Sequence, residues 1–383
     1  MFKPLHLVNS KPTGRPGNKT AGTRTCFNAP TAPVLTRRQA VCATASIATL
    51  VAAGLAGCSK STNQTSASQG DSSKPATGST FAFDTYCTFT VWGDDTALSQ
   101  LSAACAHYDE LFDLYSPSSD MARINTAQGA ATAVDPDTAQ LIALALDYCA
   151  QADGLFDITI GAVSTLWDFE RGVRPDDAAI ADALQHVDWH GVEVDEESST
   201  VRLTDPQAKL DLGGIAKGWT ADQLREYARE LGAERGYVSL GGNLMIIGER
   251  PDGDPFKFGL RDPQGDASTY LGTVTLEDGC TMATTGGYER YFEEDGIRYH
   301  HVLDPRTGYP ADSDLLSVAV ISKDGTLADY LSTTLFVQGL EAAKAAAGSE
   351  DYALVMVDRE NNVWISGSLR GNFEPHETDA DYT

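Results

Sequence analysis

The residues with the clearest chemical meaning lie in the stretch Leu210–Asp222, where Asp211 precedes the glycines Gly213 and Gly214, and Lys217 follows them. The apolar residues after the glycines recur at helical spacing: Ile215, Trp219, Leu224, Tyr227 and Leu231. This pattern predicts a short strand ending in a carboxylate, a Gly-Gly turn and the start of a helix. Because a helix start offers unpaired N–H groups and a positive dipole end, the stretch predicts an anion site with Lys217 as its cation. The alternative is a tight turn without a ligand.

Several familiar sites are excluded by motif. The Gly-Gly stretch lacks the Gly-Lys-Ser/Thr of a Walker loop, and the chain contains no Gly-x-Gly, so a Rossmann dinucleotide fingerprint is absent. There is also no His-Glu-x-x-His, no Gly-x-Ser-x-Gly and no zinc-type cysteine cluster. An anion bound here is therefore held in some other way.

A second chemical signal lies in the predicted helix Thr326–Val337, where Asp329 and Thr333 are four residues apart. Four residues separate side chains by about 40° around a helix axis, so the carboxylate and the hydroxyl share one face. That face points away from the leucine stripe of the same helix. Two hard oxygen ligands on one face suit Mg²⁺, which accepts few protein ligands beside water and phosphate. A solvated polar face without a metal is the alternative.

A third signal is the segment His300–Pro310, which contains His301, Asp304 and Arg306 between strong turn signals. A turn that carries a histidine and a carboxylate can move a proton or orient a phosphate. An ordinary polar β-turn is the alternative. Asp157 and Asp211 are single carboxylates at predicted strand ends, where a capping role competes with a functional one.

The elements that must position these residues mix helices and strands without strict alternation, which predicts an α+β fold. The predicted helices are Ala97–Leu114, a short helix with Arg123 and Asn125, Pro136–Ala152, Pro175–Val187, the helix after Gly214, Thr326–Val337 and Leu340–Ala347. The predicted strands are Phe81–Trp92, Phe156–Ile160, a hairpin over Val192–Thr204, Tyr237–Leu240, Leu244–Gly248, Phe256–Leu260, Leu271–Leu276, Cys280–Ala283, Leu315–Ser322, Tyr352–Asp358 and Val363–Ser366.

The N-terminus predicts export. Residues 1–57 contain seven Lys or Arg and no Asp or Glu, and the pair Arg37-Arg38 precedes an uncharged run that ends in Leu55-Ala56-Gly57-Cys58. A basic region, an apolar region and a small-residue cleavage site are typical of a signal sequence, and the last four residues resemble a lipobox with Cys58 as the lipidated residue. The alternative is a plain transmembrane anchor. We therefore expect a signal at 1–57, a lipidated cysteine and flexible tether at 58–80, one domain at 81–370 and an acidic tail at 371–383.

Charge excludes nucleic acid as a partner. The net charge is −26, and removal of the seven basic residues in 1–57 would lower it to −33. Such a surface repels phosphate backbones, whereas a lipid anchor would still hold the protein at a membrane. Four cysteines remain after residue 58, namely Cys87, Cys105, Cys149 and Cys280, and their spacing does not identify any pair.

Taken together, five stretches resemble the FAD:protein FMN transferase family, also called ApbE. In chain order they are Tyr115–Asn125, Gly154–Asp157, Asp211–Gly218, His301–Gly308 and Ala328–Thr333. The resemblance implies an enzyme that uses Mg²⁺ to move the FMN half of FAD onto a Thr or Ser hydroxyl of an acceptor protein, releasing AMP. Exported lipoproteins are typical of the family.

The resemblance also implies roles for individual residues. Gly214 (through its carbonyl), Asp329 and Thr333 would hold Mg²⁺. From the residues themselves, we expect His301 or a nearby carboxylate to take the proton of the acceptor hydroxyl. The FAD site would be lined by Phe83, Tyr115, Leu155, Phe156, Asp157, Asp211, Lys217 and Leu303. This chain has Phe83-Asp84-Thr85 where the family usually has Met-Gly-Thr. An FAD pyrophosphatase, in which water replaces the acceptor, and a non-catalytic FAD-binding surface lipoprotein are the alternatives.

Overall fold

The computed structural model describes residues 6–8, 74–93, 95–266, 268–378 and 382–383. Apart from the short strand His6–Val8, the predicted signal sequence, the lipobox and most of the predicted tether lie outside these residues. The described residues belong to one compact unit. Among them, no helix is both long and apolar enough to span a bilayer.

The elements of this unit are eight helices and seventeen strands among the described residues. The helices are α1 Thr96–Phe112, α2 Asp120–Thr126, α3 Pro136–Ala152, α4 Gly161–Ser164, α5 Asp177–Ala183, α6 Ala216–Glu230, α7 Gly325–Gln338 and α8 Leu340–Ala346. The strands are β1 His6–Val8, β2 Pro75–Ala82, β3 Thr85–Trp92, β4 Thr132–Ala133, β5 Val192–Asp195, β6 Thr200–Leu203, β7 Arg235–Leu240, β8 Asn243–Ile247, β9 Phe256–Arg261, β10 Tyr270–Leu276, β11 Thr281–Gly286, β12 Tyr291–Glu294, β13 Ile297–His300, β14 Leu315–Ser322, β15 Tyr352–Asp358, β16 Val363–Ser366 and β17 Phe373–Pro375.

A nine-stranded mixed sheet in the order β1-β16-β15-β14-β11-β8-β7-β3-β2 organises the fold. Alternate residues of β8 face opposite sides: Met245 and Ile247 pack with α1 and α6, while Leu244 and Ile246 pack with β9 and β10. Because a strand turns successive side chains to opposite faces, a strand buried on both faces must be apolar throughout, as β8 largely is. Smaller sheets join β17-β10-β9, β4-β6-β5 and β12-β13. The predicted α+β class and single domain are confirmed.

Several predicted elements have the bounds that their sequence signals indicate. Asp135 accepts the N–H of Asp137 at 2.9 Å and caps α3, whose Pro136 occupies the first turn. Strands β14, β15 and β16 begin and end at the predicted residues. Cys87, Cys105 and Cys149 are buried free thiols, and Cys280 is partly buried.

The predicted strand Phe81–Trp92 is confirmed from Thr85 to Trp92 as β3, but it does not run continuously from Phe81, because the chain turns at Phe83 and Asp84 to form a hairpin with β2. β2 and β3 pair around a two-residue turn in which Phe83 (φ 53°) and Asp84 (φ 55°) are both left-handed. The hairpin also corrects the predicted tether, since β2 begins at Pro75 and not after residue 80. The first part of β2 has the composition of a linker, but its backbone is hydrogen-bonded to β3. Such a ladder of backbone hydrogen bonds needs no apolar side chains.

The predicted acidic tail is also corrected. β17 pairs with β10, so Glu374 and Pro375 belong to a sheet. Tyr382 is buried and donates its hydroxyl hydrogen bond to Asp262. Two large side chains, Phe373 and Tyr382, anchor this end of the chain in the core beside β10.

Two other predicted elements differ. The stretches Phe156–Ile160 and Leu210–Asp211 are not strands. The two parts of the chain meet through one parallel bridge, between Ile160 and the adjoining Lys209, and through one backbone hydrogen bond, from the N–H of Asp211 to the carbonyl of Ile158 at 2.8 Å. Conversely, Tyr291–Glu294 and Ile297–His300 form the hairpin β12–β13, where the sequence analysis lists no strands.

Candidate active site

The turn before α6 is built by Asp211. Its Oδ1 accepts the N–H of Gly213 at 2.8 Å, and its Oδ2 accepts the hydroxyl of Ser164 at 2.6 Å. Gly214 follows in a confined position: a Cβ there would lie 3.1 Å from Phe156 Cε2 and 3.5 Å from Thr333 Oγ1. The absence of a side chain therefore lets the turn approach α7, and Gly214, Phe156 and Thr333 lie close together.

The crossing of α6 and α7 is equally close. Asp329 is 3% exposed, and its Oδ2 accepts the N–H of Gly218 at 2.8 Å. A Cβ on Gly218 would lie 2.2 Å from Gly325 O, so only glycine fits at this point of the crossing. Asp329 therefore faces the first turn of α6. The alternative of a solvated polar face is excluded for Asp329 by its burial.

A residue that sequence reasoning missed completes the polar contacts of α7. Thr285 of β11 places its Oγ1 2.8 Å from Ser332 Oγ and 3.4 Å from Thr333 Oγ1. Ser332 in turn donates to the carbonyl of Asp329 at 2.9 Å. The sequence signal is weak, because Thr285 lies two residues beyond the predicted strand Cys280–Ala283, and a threonine there indicates only strand propensity.

The donor set around Thr333 fits a hard cation. It offers one buried carboxylate, one hydroxyl and the backbone of Gly214, all of them oxygen ligands of the kind that Mg²⁺ prefers. The hydrogen bond to Gly218 uses one of the two carboxylate oxygens of Asp329. Within the described residues, no group of three or more His, Cys, Asp or Glu side chains could hold a metal. A cation held by Asp329, Thr333 and Gly214 would complete its shell with water and phosphate.

The predicted flavin-lining residues differ in how far their side chains are exposed to solvent. Phe156 is 7% exposed and meets Tyr330 edge to face with ring centroids 5.0 Å apart, whereas Tyr115 is 57% exposed. Leu155 is partly buried against the same core. A buried ring and an exposed ring near one site can hold the two ends of an extended aromatic ligand.

Phe83 is placed by a buried carboxylate. Its N–H donates to Asp109 Oδ1 at 2.6 Å, which fixes the left-handed turn of the hairpin against α1. Burial raises the pKa of Asp109 to about 6, although the hydrogen bond from Phe83 opposes the shift.

Asp157 and Leu303 are held by local structure. Asp157 accepts the N–H and the hydroxyl of Thr159 at 2.8 and 2.6 Å and the N–H of Trp189 at 3.2 Å. Burial nevertheless raises the pKa of Asp157. Leu303 is 8% exposed and belongs to a cluster around Trp167. Both residues support the walls of the fold, and their contact with a ligand stays a prediction.

His301 is oriented in the predicted turn by the carbonyl of Arg290. Its backbone N–H and its Nδ1 lie 3.1 and 3.3 Å from the carbonyl of Arg290. Because a carbonyl can only accept, Nδ1 carries the hydrogen and Nε2 keeps the lone pair. Burial lowers the pKa of His301 to about 3, and the positive charges of Arg290 and Lys217 add to the shift. The ring is therefore neutral at neutral pH.

The neighbouring charged residues of this turn are already engaged. Asp304 accepts Arg306 Nε at 2.9 Å and Nη2 at 2.7 Å, so this carboxylate stabilises the turn. Lys217 donates to the carbonyl of Gly213 at 3.2 Å, in the turn that precedes α6. Lys217 is thus at the helix start, where the sequence predicts an anion.

The order and geometry of these residues agree with one family of proteins, whose sequence profile, described as the ApbE family, matches residues 83–356. The chain belongs to the ApbE family. A similar protein is the FAD:protein FMN transferase of Klebsiella pneumoniae (strain 342), 36% identical over 290 residues, which cover 74% of this chain and 88% of that protein. The FAD:protein FMN transferase of Treponema pallidum (strain Nichols) is 36% identical over 244 residues, 59% of this chain and 67% of that protein.

Solved ApbE structures share the fold. The ApbE protein of Thermotoga maritima matches with a TM-score of 0.70 and 30% identity, over 79% of this chain and 100% of that chain. The flavinyl transferase ApbE of Pseudomonas stutzeri matches with a TM-score of 0.67 and 27% identity, over 79% of this chain and 98% of that chain. The unit described here is therefore an ApbE domain.

Proposed function

We propose that this ApbE protein transfers the FMN half of FAD to a Thr or Ser hydroxyl of an acceptor protein, with Mg²⁺ at Asp329, Thr333 and the carbonyl of Gly214. The observation that carries the proposal is the meeting of α6 and α7, where a buried carboxylate, a hydroxyl and a helix start with Lys217 adjoin. The names of its relatives support the same activity.

In the proposed reaction, the acceptor oxygen bonds to the phosphorus of the FMN half, and the bond from that phosphorus to the AMP oxygen breaks. The products are a phosphoester and AMP. Mg²⁺, when bound, would neutralise charge on the phosphate oxygens. Lys217 and the positive end of the α6 dipole bind the negative charge of the pyrophosphate.

The proton of the acceptor hydroxyl goes to His301. Its Nε2 has the lone pair because Nδ1 donates to Arg290, and the ring is neutral because burial and two cations lower its pKa. A histidine with so low a pKa is a weak base in the free protein. The negative charge of bound FAD would offset the effect of the cations and strengthen it.

The experiment is mass spectrometry of a Thr-containing acceptor domain after incubation with the protein, FAD and Mg²⁺. We expect the mass of one FMN on the acceptor, and none with Asp329→Asn. A matched control is Asp324→Asn on the same helix, because Asp324 caps α7 through Leu327 and the amide oxygen preserves that cap. Release of AMP without modified acceptor would instead identify a pyrophosphatase, and bound FAD with neither product a flavin carrier.

We further propose that the protein is exported and attached to the outer face of the cell membrane through lipidated Cys58. The basic start, the uncharged run and Leu55-Ala56-Gly57-Cys58 support this location. Metabolic labelling with a fatty acid tests it: label should enter the full chain and be absent from Cys58→Ser. Label that persists in this variant would contradict the proposal.

A further inference from the structure

Arg290 and Asp84 form an ion pair between two hairpins. Arg290 immediately precedes β12, and its Nη1 lies 3.6 Å from Oδ2 of Asp84 in the β2–β3 turn. Both side chains are more than half exposed, at 54% and 68%. An exposed ion pair at this distance contributes little stability, so Arg290 can leave Asp84 at little cost.

The backbone of Arg290 is fixed beside the proposed base. Its carbonyl accepts both hydrogen bonds from His301 described above, the backbone N–H and Nδ1–H. The guanidinium is joined to the same backbone by a flexible side chain. Arg290 therefore combines a fixed position next to the reaction site with a head group that can change partners.

Two cations approach His301 from different elements. Lys217 comes from the first turn of α6 and Arg290 from the start of the β12 hairpin, and both disfavour a positive charge on the ring. The net charge of the chain is −26, so a concentration of positive charge at one point is not a general property of its surface. Cations that face a common space repel each other unless an anion lies between them.

Carboxylates near Arg290 show which partner its guanidinium has in this structure. Tyr115 lies within electrostatic reach of Arg290, Asp84 and Asp211. Of these carboxylates, Asp211 is engaged with Gly213 and Ser164, and Asp84 is the one paired with Arg290. Asp84 also occupies a left-handed position, with φ 55°.

We propose that Arg290 is a second anion-binding residue of the flavin site, which exchanges Asp84 for a phosphate oxygen of the substrate. The identification of that substrate as FAD rests on the proposed function. Arginine forms paired, charge-assisted hydrogen bonds with phosphate, and these are stronger than an exposed ion pair of poor geometry. Asp84 competes for the guanidinium, so it weakens substrate binding while it holds Arg290 near the site.

The test is FAD affinity, measured by flavin fluorescence with no acceptor present. We expect Arg290→Gln to weaken binding about tenfold and Arg290→Lys to weaken it less, because lysine keeps the charge but not the paired donors. Asp84→Asn should change affinity in the opposite direction, with FAD bound about two- to fivefold more tightly, because Arg290 is then free. Asparagine tolerates the left-handed turn, so this variant preserves the fold. When Asp84→Asn is added to Arg290→Gln, the FAD affinity should not change further.

Two controls make the result specific. Arg298 lies on the same hairpin and pairs with Glu293 at 3.0 Å, so Arg298→Gln removes one charge without removing Arg290. Riboflavin, which has no phosphate, should bind the Arg290→Gln variant as well as it binds the unmodified protein. Equal losses in Arg290→Gln and Arg298→Gln, or weaker FAD binding by Asp84→Asn, would overturn the proposal. Failure of FMN transfer with these affinity changes intact would count against the proposed function alone.

Discussion

The carboxylate of Asp329 accepts the backbone N–H of Gly218 at 2.8 Å, and this bond joins α7 to the first turn of α6. One residue thus serves both the proposed metal site and the helix start that the sequence marks as an anion site. The bond also satisfies an N–H in the first turn of α6, where helices lack internal partners. Position and chemistry are coupled at this crossing, and substitutions there must separate the two.

Asp329→Asn and Asp329→Ala separate them. The amide oxygen of asparagine can still accept from Gly218, so we expect nearly normal thermal stability but a loss of FMN transfer of about a hundredfold or more, since metal assistance is worth several kcal/mol. Alanine removes the acceptor as well, and the unpaired N–H should lower the free energy of unfolding by about 1–3 kcal/mol further. Calorimetry and transfer assays measure the two effects. Equal stability of the two variants would mean that the bond to Gly218 contributes nothing.

Gly218→Ala tests the closeness of the crossing. The new Cβ would lie 2.2 Å from Gly325 O and 2.5 Å from Asp329 Cβ, and both neighbours belong to the buried start of α7. Overpacking of this kind costs about 1–3 kcal/mol of unfolding free energy, measured by chemical denaturation. Gly78→Ala in β2 is the control, because its Cβ would find its nearest neighbour at 3.9 Å. A Gly218→Ala variant as stable as this control would show that the helices can separate freely.

The fold was predictable where local signals are strong. Asp135 and Pro136 predict the start of α3, and the apolar runs of β14 and β15 predict buried strands. These signals are reliable because helix caps and hydrophobic patterns act within a few residues. The hairpin β2–β3 was not predictable in the same way. Its turn has left-handed Phe83 and Asp84 instead of the glycine that usually marks such a turn, and the backbone of β3 and a bond from Asp109 hold it.

The site was predictable in part for a related reason. The helical spacing of Asp329 and Thr333 placed them on one face, and the Gly-Gly turn marked the start of α6. The role of Thr285 depends on contacts with residues that are 47 or more positions away in the chain. The role of Arg290 depends on an ion pair with Asp84, which lies on a separate hairpin. No local pattern encodes such contacts, so only the three-dimensional arrangement identifies them.

Thr285→Val tests the hydroxyl contacts next to the proposed metal site. Valine preserves the shape of the side chain but removes the partner of Ser332 and Thr333, so the hydroxyl of Thr333 loses an orienting contact. Loss of such supporting contacts typically weakens metal binding about 10- to 100-fold, and isothermal titration with Mg²⁺ in the presence of FAD measures it. The control is Thr281→Val in the same strand, whose buried hydroxyl has no hydrogen-bond partner. Unchanged Mg²⁺ affinity in Thr285→Val would refute a supporting role.

Asp109→Asn tests the carboxylate that holds the Phe83 turn. The folded-state pKa of about 6 lies above the ordinary value of 3.8, so the folded protein keeps its proton longer than the unfolded chain. Asp109 therefore contributes stability at low pH that is lost as the pH rises from about 4 through 6. Because asparagine still accepts from Phe83, the variant should be about 1–2 kcal/mol more stable than the unmodified protein at pH 8. Denaturation at pH 8 and at pH 4.5 measures the difference, which should shrink at the lower pH.

His301 should produce a pH dependence of the opposite sign. Burial lowers its folded-state pKa from 6.5 to about 3, so between these values the unfolded chain binds a proton that the folded protein does not. The free energy of unfolding should therefore fall as the pH is lowered from about 6.5 towards 4. His300, whose pKa burial lowers to about 4, acts in the same direction.

His301→Gln separates this effect from catalysis. At pH 8 the imidazole is neutral in the folded and the unfolded state, so removal of the titrating ring should not raise the free energy of unfolding. FMN transfer, in contrast, should fall by about 10²- to 10⁴-fold, because the proton acceptor at Nε2 is lost. Between pH 6.5 and 4, the variant should lose less stability than the unmodified protein, because one of the two partly buried histidines with lowered pKa is gone. FAD affinity at pH 8 should change little, since glutamine adds no charge. Full transfer rate in this variant with FAD bound normally would exclude His301 as the base and leave its burial beside Arg290 as a structural property.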